Sequence, residues 1–415
     1  MKKYQLKSLI DVKRGASLAG EYYSSEGSLV RLTLGNFKEE GGFKFNTSKD
    51  NLYYTGPVKD EYILKKGDII TPLTEQVVGL LGATARIPES DKYVQSGDVA
   101  LIKSISDELY EGYCYYLISS DVVRRQLSAA AQQTKIRHTS PEKIKSCQVF
   151  LPDVSTQKKI SNLLDVIDKK ISLNITINDN LSHYLDLIYD FWFSQFDFPN
   201  KDNIPYKSNY GEMIFSQKLR KMIPQGWEVV PLKNIATISS ESVIPQAKTE
   251  YIHYSIPSFD EHRLPKVELG SLIGSTKYKV SSNMILVSKL NPQFKRVWLI
   301  NNAEENSICS TEFIPFQAKD IPIEYLFGIL NSYSFNKYMI QCSSSSTGSR
   351  KRMTPELCLQ FSVALPPSEI INEYSSKVRG ALKHISDNLY ENSKLNTIRK
   401  TLLPLLMNGQ ATISD

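Results

Sequence analysis

The stretch ISNLLDVIDKKISLNITINDNLSHYLDLIYDFW, residues 160–192, carries a seam of residues spaced alternately four and three apart. It reads Ile160, Leu164, Ile167, Ile171, Asn174, Asn178, Leu181, Leu185, Ile188 and Trp192. At a constant offset of 214, residues 374–406 repeat the spacing with Tyr374, Val378, Ala381, Ile385, Asn388, Asn392, Leu395, Arg399, Leu402 and Leu406. A heptad seam held this long predicts a long helix with one adhesive edge. Two such seams in register predict a duplicated unit whose helices pair with each other. Asparagine occupies only 23 of 415 positions, yet Asn174 and Asn178 stand at the centre of one seam and Asn388 and Asn392 at the centre of the other. A seam Asn is costly against an apolar neighbour and tolerated against another Asn, so these four are the expected register-setting residues.

Central pairs would meet in a parallel or an antiparallel alignment, and the intervening chain decides between them. About 160 residues separate the helices, enough for one globular domain whose ends lie close together. Helix two then runs back along helix one. The expectation is a coiled-coil-like strut of two antiparallel helices, each about 58 Å long, with a globule at each end and a pseudo-two-fold internal repeat.

Both globules follow one plan. An aromatic opens each with Leu five residues on, Tyr4 with Leu9 and Trp227 with Leu232. Apolar runs follow, GDIITPL at 67–73 and NMILVSKL at 283–290, which read as strands. Helix-like segments at 111–127 and 323–339 precede polar loops, then Pro141 and Pro355, then runs into Leu151-Pro152 and Leu365-Pro366. The fold class is α+β, with two mixed, strand-rich globules. The middles, 30–110 and 245–320, do not align by eye. Segment 194–226 reads as a surface-wrapping linker. Ser155 is the expected cap of helix one, Ser368 the start of helix two, Pro404 its interruption and Gly409 the chain's exit.

A net charge of +6 is compatible with nucleic acid without arguing for it. No apolar run reaches the length of a membrane span, and the start MKKYQLKSLIDVKRG lacks the apolar core of a signal peptide. Five scattered cysteines without a C-x-x-C pair fit a reducing cytoplasm and argue against a structural zinc.

Catalytic signatures are missing. GSLIGSTK (270–277) has the wrong spacing for a phosphate-binding loop. NPQF (291–294) approaches the N-P-P-Y/F pocket of amino-methyltransferases but lacks the second proline and a glycine-rich turn for a methyl donor. Five histidines show no ligand spacing, so neither a catalytic nor a metal site is assigned.

The basic loops are more informative. CSSSSTGSRKRMTPE (342–356) concentrates Arg350, Lys351 and Arg352, and QQTKIRHTSPE (132–142) holds Lys135, Arg137 and His138 at the matching place. SKLNPQFKR (288–296) adds Lys289, Asn291, Gln293, Lys295 and Arg296. Small residues admit close approach to phosphates, while Arg and Gln can each make two hydrogen bonds to a purine edge. The bland alternative is a solvated basic loop, and recurrence in both copies favours DNA contact. Arg31, Asn36, Thr71, Thr74 and Gln76 are weaker candidates.

Several phrases carry a family resemblance: LPDVSTQKKISNLLDVIDKKISLN (151–174), IYDFWFSQFDFP (188–199), YIHYSIPSFDEHRLP (251–265), STGSRKRMTPE (346–356) and IRKTLLPLLMNGQ (398–410). With the duplication they make the whole chain resemble the specificity subunit of Type I restriction-modification systems. The resemblance implies target-recognition domains at 1–150 and 201–364, a central helical region at 151–200 and a distal one at 365–415. Each domain would read one half of an asymmetric, bipartite site in double-stranded DNA. The helices would set the spacer and dock methyltransferase subunits, two of them, with restriction/translocase subunits joining the complex. The chain itself would be non-catalytic. S-adenosylmethionine, ATP and Mg are expected on the partners, and no cofactor on this chain. Two residues depart from the pattern: Ile371 stands where the first copy has Gln157, and Arg399 interrupts the distal seam. A coiled-coil adaptor that binds only proteins is the alternative; it predicts no salt-sensitive DNA affinity. An enzyme acting on nucleic acid by itself is a second, and it lacks a visible methyl-donor or metal site.

Overall fold

The structure is a computed structural model describing residues 1–45, 52–75, 79–130, 137–345 and 351–413. The chain divides into two compact units, Met1–Ile171 with Lys394–Asp415, and Ser172–Ser393. Both long helices pass from one unit into the other.

In the first unit, strand Lys2–Gln5 pairs antiparallel with Gln148–Leu151, Tyr4 opposite Val149. A four-stranded sheet follows in the order Ile10–Arg14, Val99–Ser104, Ile69–Pro72, Ala85–Arg86. Every residue of Ile69–Pro72 is buried, as a continuous apolar run requires when both faces of a strand are covered. Tyr23–Ser24, Tyr53–Tyr54, Val30–Arg31 and Tyr93–Val94 form a second sheet, whose last pair is parallel. The core beneath the first sheet joins Ile10, Tyr113 and Ile118 to Ile160 and Leu164 of helix one and Leu406 of helix two.

The second unit repeats the plan. Glu228–Pro231 pairs with Ser362–Leu365. Its four-stranded sheet runs Ala236–Ile238, Phe313–Ala318, Met284–Ser288, Val297–Ile300, the same first, last, second, third order of strands. The second sheet has five strands and again one parallel pair, Glu250–Tyr254 with Ser307–Ser310. The middles therefore share a framework that their sequences conceal, because a strand needs only an apolar pattern and its loops are free to diverge.

Some expectations change. Each helix-like segment is two helices, Glu111–Ile118 with Asp121–Ala130 and Ile323–Asn331 with Tyr333–Gln341. Serines make the breaks: Ser332 Oγ donates to the Ile329 carbonyl and accepts the Phe335 N–H, and Ser120 Oγ donates to the Leu117 carbonyl. Such local bonds compete with helix continuation. Segment 194–226 holds a hairpin, Met213–Ser216 with Lys221–Pro224. Phe198 anchors the segment, stacked on Tyr206 and Trp227 at ring distances of 4.7 and 5.2 Å.

Helix one spans Val154–Tyr189 and ends in a π turn, Asp190–Ser194. Its cap is Asp153, whose Oδ1 accepts the Thr156 N–H at 2.9 Å, rather than Ser155. A carboxylate at the positive end of the helix serves better than a hydroxyl. Helix two spans Ser368–Met407 and carries Pro404 in its last turn. Pro404 costs one hydrogen bond there without ending the helix, which leaves through Gly409 at φ +69. Within the second unit, Asn174 Nδ2 donates to Asn392 Oδ1 and Asn388 Nδ2 to Asn178 Oδ1, both at 2.9 Å. The helices are therefore antiparallel. No described helix is long and apolar enough to cross a membrane.

Candidate nucleic-acid interface

The folds bring the sequence-predicted loops together in pairs. In the first unit, Thr74–Glu75 pairs antiparallel with Arg137–His138, setting Arg137 opposite Glu75. The loop after the sheet's second strand thus meets the loop after its helices. Glu75 is 2% exposed and organises the junction. Its Oε1 lies 2.9 Å from Arg137 Nη1, while Oε2 accepts the backbone N–H groups of Gly79, Leu80 and Leu81 at 3.0, 2.8 and 3.0 Å. Arg137 Nη2 also donates to the carbonyl and hydroxyl of Ser128. His138 is exposed. Lys135 and Gln76 lie outside the described residues.

The second unit builds the same junction with other residues. Leu290 bridges Arg352 antiparallel, the Asn291 N–H donates to the Lys351 carbonyl, and Asn291 Oδ1 accepts the Lys351 N–H at 3.0 Å. Lys351 and Arg352 stand at the offset of 214 from Arg137 and His138. Asn291 has φ +48, in the left-handed region, where its short amide side chain is tolerated. This is the turn that presents Gln293, which is exposed, above the buried Pro292. Arg350 lies outside the described residues.

Charge is distributed unevenly across these candidates. Arg352 makes Nε and Nη2 contacts to the Glu312 carboxylate, the closest at 2.8 Å. Arg296 grips Asp260 with two bonds of 2.7 and 2.8 Å, and Lys295 Nζ donates to the Asn331 carbonyl at 3.1 Å. Arg137, Arg296 and Arg352 thus hold loops in place. His138, Lys289, Gln293 and Lys351 have no side-chain partner among the described residues and can reach a ligand. Of the weaker candidates, Asn36 is buried and accepts the Thr33 N–H at 2.8 Å, Arg31 lies over the Tyr23 ring, and Thr71 donates to the Ala83 carbonyl. Thr74 is buried in the paired strand.

Sequence reasoning passed over the acidic partners Glu75, Glu312 and Asp260. A lone carboxylate in an apolar stretch, as in TPLTEQ, is the signal that could have found Glu75, because a buried carboxylate requires donors. The buried thiols of Cys114, Cys309 and Cys358 are each pushed up to about 12 by burial, far from a nucleophile's range.

Residues 1–183 match the family model of the Type I restriction modification DNA specificity domain. The chain is 22% identical over 325 residues to the Type I restriction enzyme MjaIX specificity subunit of Methanocaldococcus jannaschii, covering 74% of this chain and 71% of that protein. It is 21% identical over 383 residues to the HindI specificity subunit of Haemophilus influenzae, covering 77% and 82%. Among solved structures, the Type I restriction-modification system S subunit from M. genitalium superposes with a TM-score of 0.63 at 15% identity, covering 100% of this chain and 96% of that one.

Proposed function

Because this chain belongs to the specificity subunits of Type I restriction-modification systems, and is a non-catalytic DNA specificity subunit, we propose that each globule reads one half of an asymmetric, bipartite site through its paired loops. The observation that carries this reading is the recurrence of one loop junction in both units, with Thr74–Glu75 against Arg137–His138 in one and Leu290–Asn291 against Lys351–Arg352 in the other. The frame is shared and the exposed side chains differ, as two different half-sites require. Phosphate contacts set register and a few base-edge contacts give sequence. Lys289, Lys351 and His138 serve as phosphate or base contacts, Gln293 as a base reader, with Lys135 and Arg350 joining them. Arg137, Arg296, Arg352, Lys295 and Asn291 hold the loops that present them. The bounds 1–150, 151–200, 201–364 and 365–415 separate reading heads from helical regions on this view.

Substituting Lys289 and Lys351 together by Ala is expected to weaken DNA binding and flatten its salt dependence by about two units of log–log slope. Arg352→Ala should instead disturb the second junction itself, lowering Tm. An unchanged salt slope in the Lys289/Lys351 double variant, by fluorescence anisotropy across a salt series, would remove both lysines from the interface.

The helices set the spacer and dock the methyltransferase subunits, two per chain, to which restriction/translocase subunits add. S-adenosylmethionine, ATP and Mg act on those partners, in the cytoplasm. What supports docking is an apolar stripe on helix one within the second unit, away from the seam: Leu173, Tyr184, Leu187 and Phe191 are all exposed. A long exposed apolar stripe at heptad spacing suits another helix. Leu173→Asp with Leu187→Asp is expected to abolish co-purification with the methyltransferase subunit while leaving Tm nearly unchanged. Retained stoichiometric assembly would move docking elsewhere.

The function as a whole is tested by mapping methylated adenines genome-wide with and without this gene. A split, asymmetric motif should vanish with it.

A further inference from the structure

Arg399, the residue that breaks the distal seam, is 5% exposed and sits in a charged cluster confined to the first unit. Its Nε lies 2.7 Å from Asp168 Oδ1 of helix one, and its Nη1 donates to the Glu40 carbonyl at 2.9 Å. The Tyr116 hydroxyl contacts both helix-one carboxylates, at 2.7 Å from Asp165 Oδ1 and 3.1 Å from Asp168 Oδ2. Asp165 Oδ1 is also 2.5 Å from Arg86 Nη1, and that guanidinium lies 4.3 Å over the Tyr115 ring and donates to the Gly112 carbonyl. Two arginines and two aspartates therefore tie three parts of the unit together: the end of helix two, the first half of helix one, and the globule.

The second copy carries no charge at the two matching positions; its ion pairs between helix and globule, Arg379 with Glu324 and Lys295 with Asp186, stand elsewhere on the helices. At the offset of 214, Asp168 becomes Leu382, and Arg399 corresponds to Leu185. Both leucines are buried in a core shared with Trp192 and Tyr374. Apolar packing therefore suffices at these two positions, and the buried Asp168–Arg399 pair of the first unit adds something beyond adhesion. Hydrogen-bonded ion pairs are directional, and a misaligned one leaves desolvated charge uncompensated, whereas apolar contacts permit small rotations at little cost.

Resting on the DNA-reading function above, we propose that Arg399 is a positioning residue which, through Asp168 and Glu40, locks the first reading head in one orientation on the helices and so restricts the complex to one spacer length.

The test uses the full chain assembled with its methyltransferase subunits and DNA duplexes carrying the native spacer or one base pair more or less. Asp168→Leu with Arg399→Leu copies the second unit and removes both charges, leaving the Arg86–Asp165–Tyr116 group paired. This variant is expected to assemble and to methylate the native site with unchanged kcat, while its preference for the native spacer falls about tenfold. Arg399→Lys keeps the charge on Asp168 but not the fork to Glu40, and should lose about threefold. A merely structural role predicts lower Tm and equal loss on every spacer. Wild-type discrimination in an assembled double variant, or in Arg399→Lys should the double variant fail to assemble, overturns the proposal. If the wild-type complex itself shows no split-site preference, the DNA-reading function fails instead, a distinguishable result.

Discussion

Lengthening both long helices by one heptad, between Ile171 and Ser172 and between Ser393 and Lys394, is expected to reduce methylation of the wild-type target by about two orders of magnitude or more. The insertion points keep Asn174 opposite Asn392 and Asp168 opposite Arg399, so the pairing on either side is preserved. Seven residues add about 10 Å of helix, close to three base-pair steps. Half-sites presented at the old spacing then meet the reading heads out of step. Because the helical phase of DNA changes with every added pair, a different spacer should take over. Methylation assays on a library of duplexes with graded spacers read this directly, and an optimum that stays where it was would refute the helices as the measure of the spacer. The same insertion in helix one alone should set the Asn174–Asn392 pairing on one side of it out of register with the Asp168–Arg399 pairing on the other, and lower Tm.

Glu75→Ala is expected to cost about 4 kcal/mol of stability in the first unit, from the loss of a buried pair and of an acceptor for several donors. Folded domains hold only ~5–15 kcal/mol in reserve, so the effect is large. The alanine would strand the Arg137 guanidinium and the N–H groups of Gly79, Leu80 and Leu81, which all converge on that carboxylate. The junction that presents His138 then loses its shape, and recognition of the first half-site should go with it. Thermal denaturation and half-site binding together check this. Pairing Glu75→Ala with Arg137→Leu should recover part of the stability and none of the recognition. Glu75→Ala with wild-type Tm would show the carboxylate to be dispensable.

Most of the helical architecture was legible because its signal is local and repeated. A seam spacing of four and three residues specifies a helix edge wherever the helix packs, and a constant offset between two seams marks duplication whatever the remaining residues are. The four asparagines were legible for the same reason, since a polar residue in an apolar seam calls for a polar neighbour. Other elements were concealed. The breaks at Ser119–Ser120 and Ser332 look like ordinary helix sequence until a hydroxyl is seen to bond the backbone. The middle sheets share one strand order, yet nothing in the aligned residues requires it.

Candidate site residues divide along the same line. Position along the chain identified the basic loops, and their counterparts in the other copy, by pattern. It could not tell a free cation from a neutralised one, because neutralising carboxylates arrive from elsewhere: Glu75 for Arg137, Asp260 for Arg296, Glu312 for Arg352. Arg399 is the sharpest case. As a letter in a heptad it is a defect; folded, it answers Asp168 of the other helix and a carbonyl of the globule. Residue order alone therefore determined that this protein is a doubled unit with paired helices, since periodicity survives without contacts. Which charges are neutralised within the fold, and which are left without a partner among the described residues, was decided only by tertiary structure, because Coulomb pairing depends on distance in space and residues far apart in the chain supply the partners.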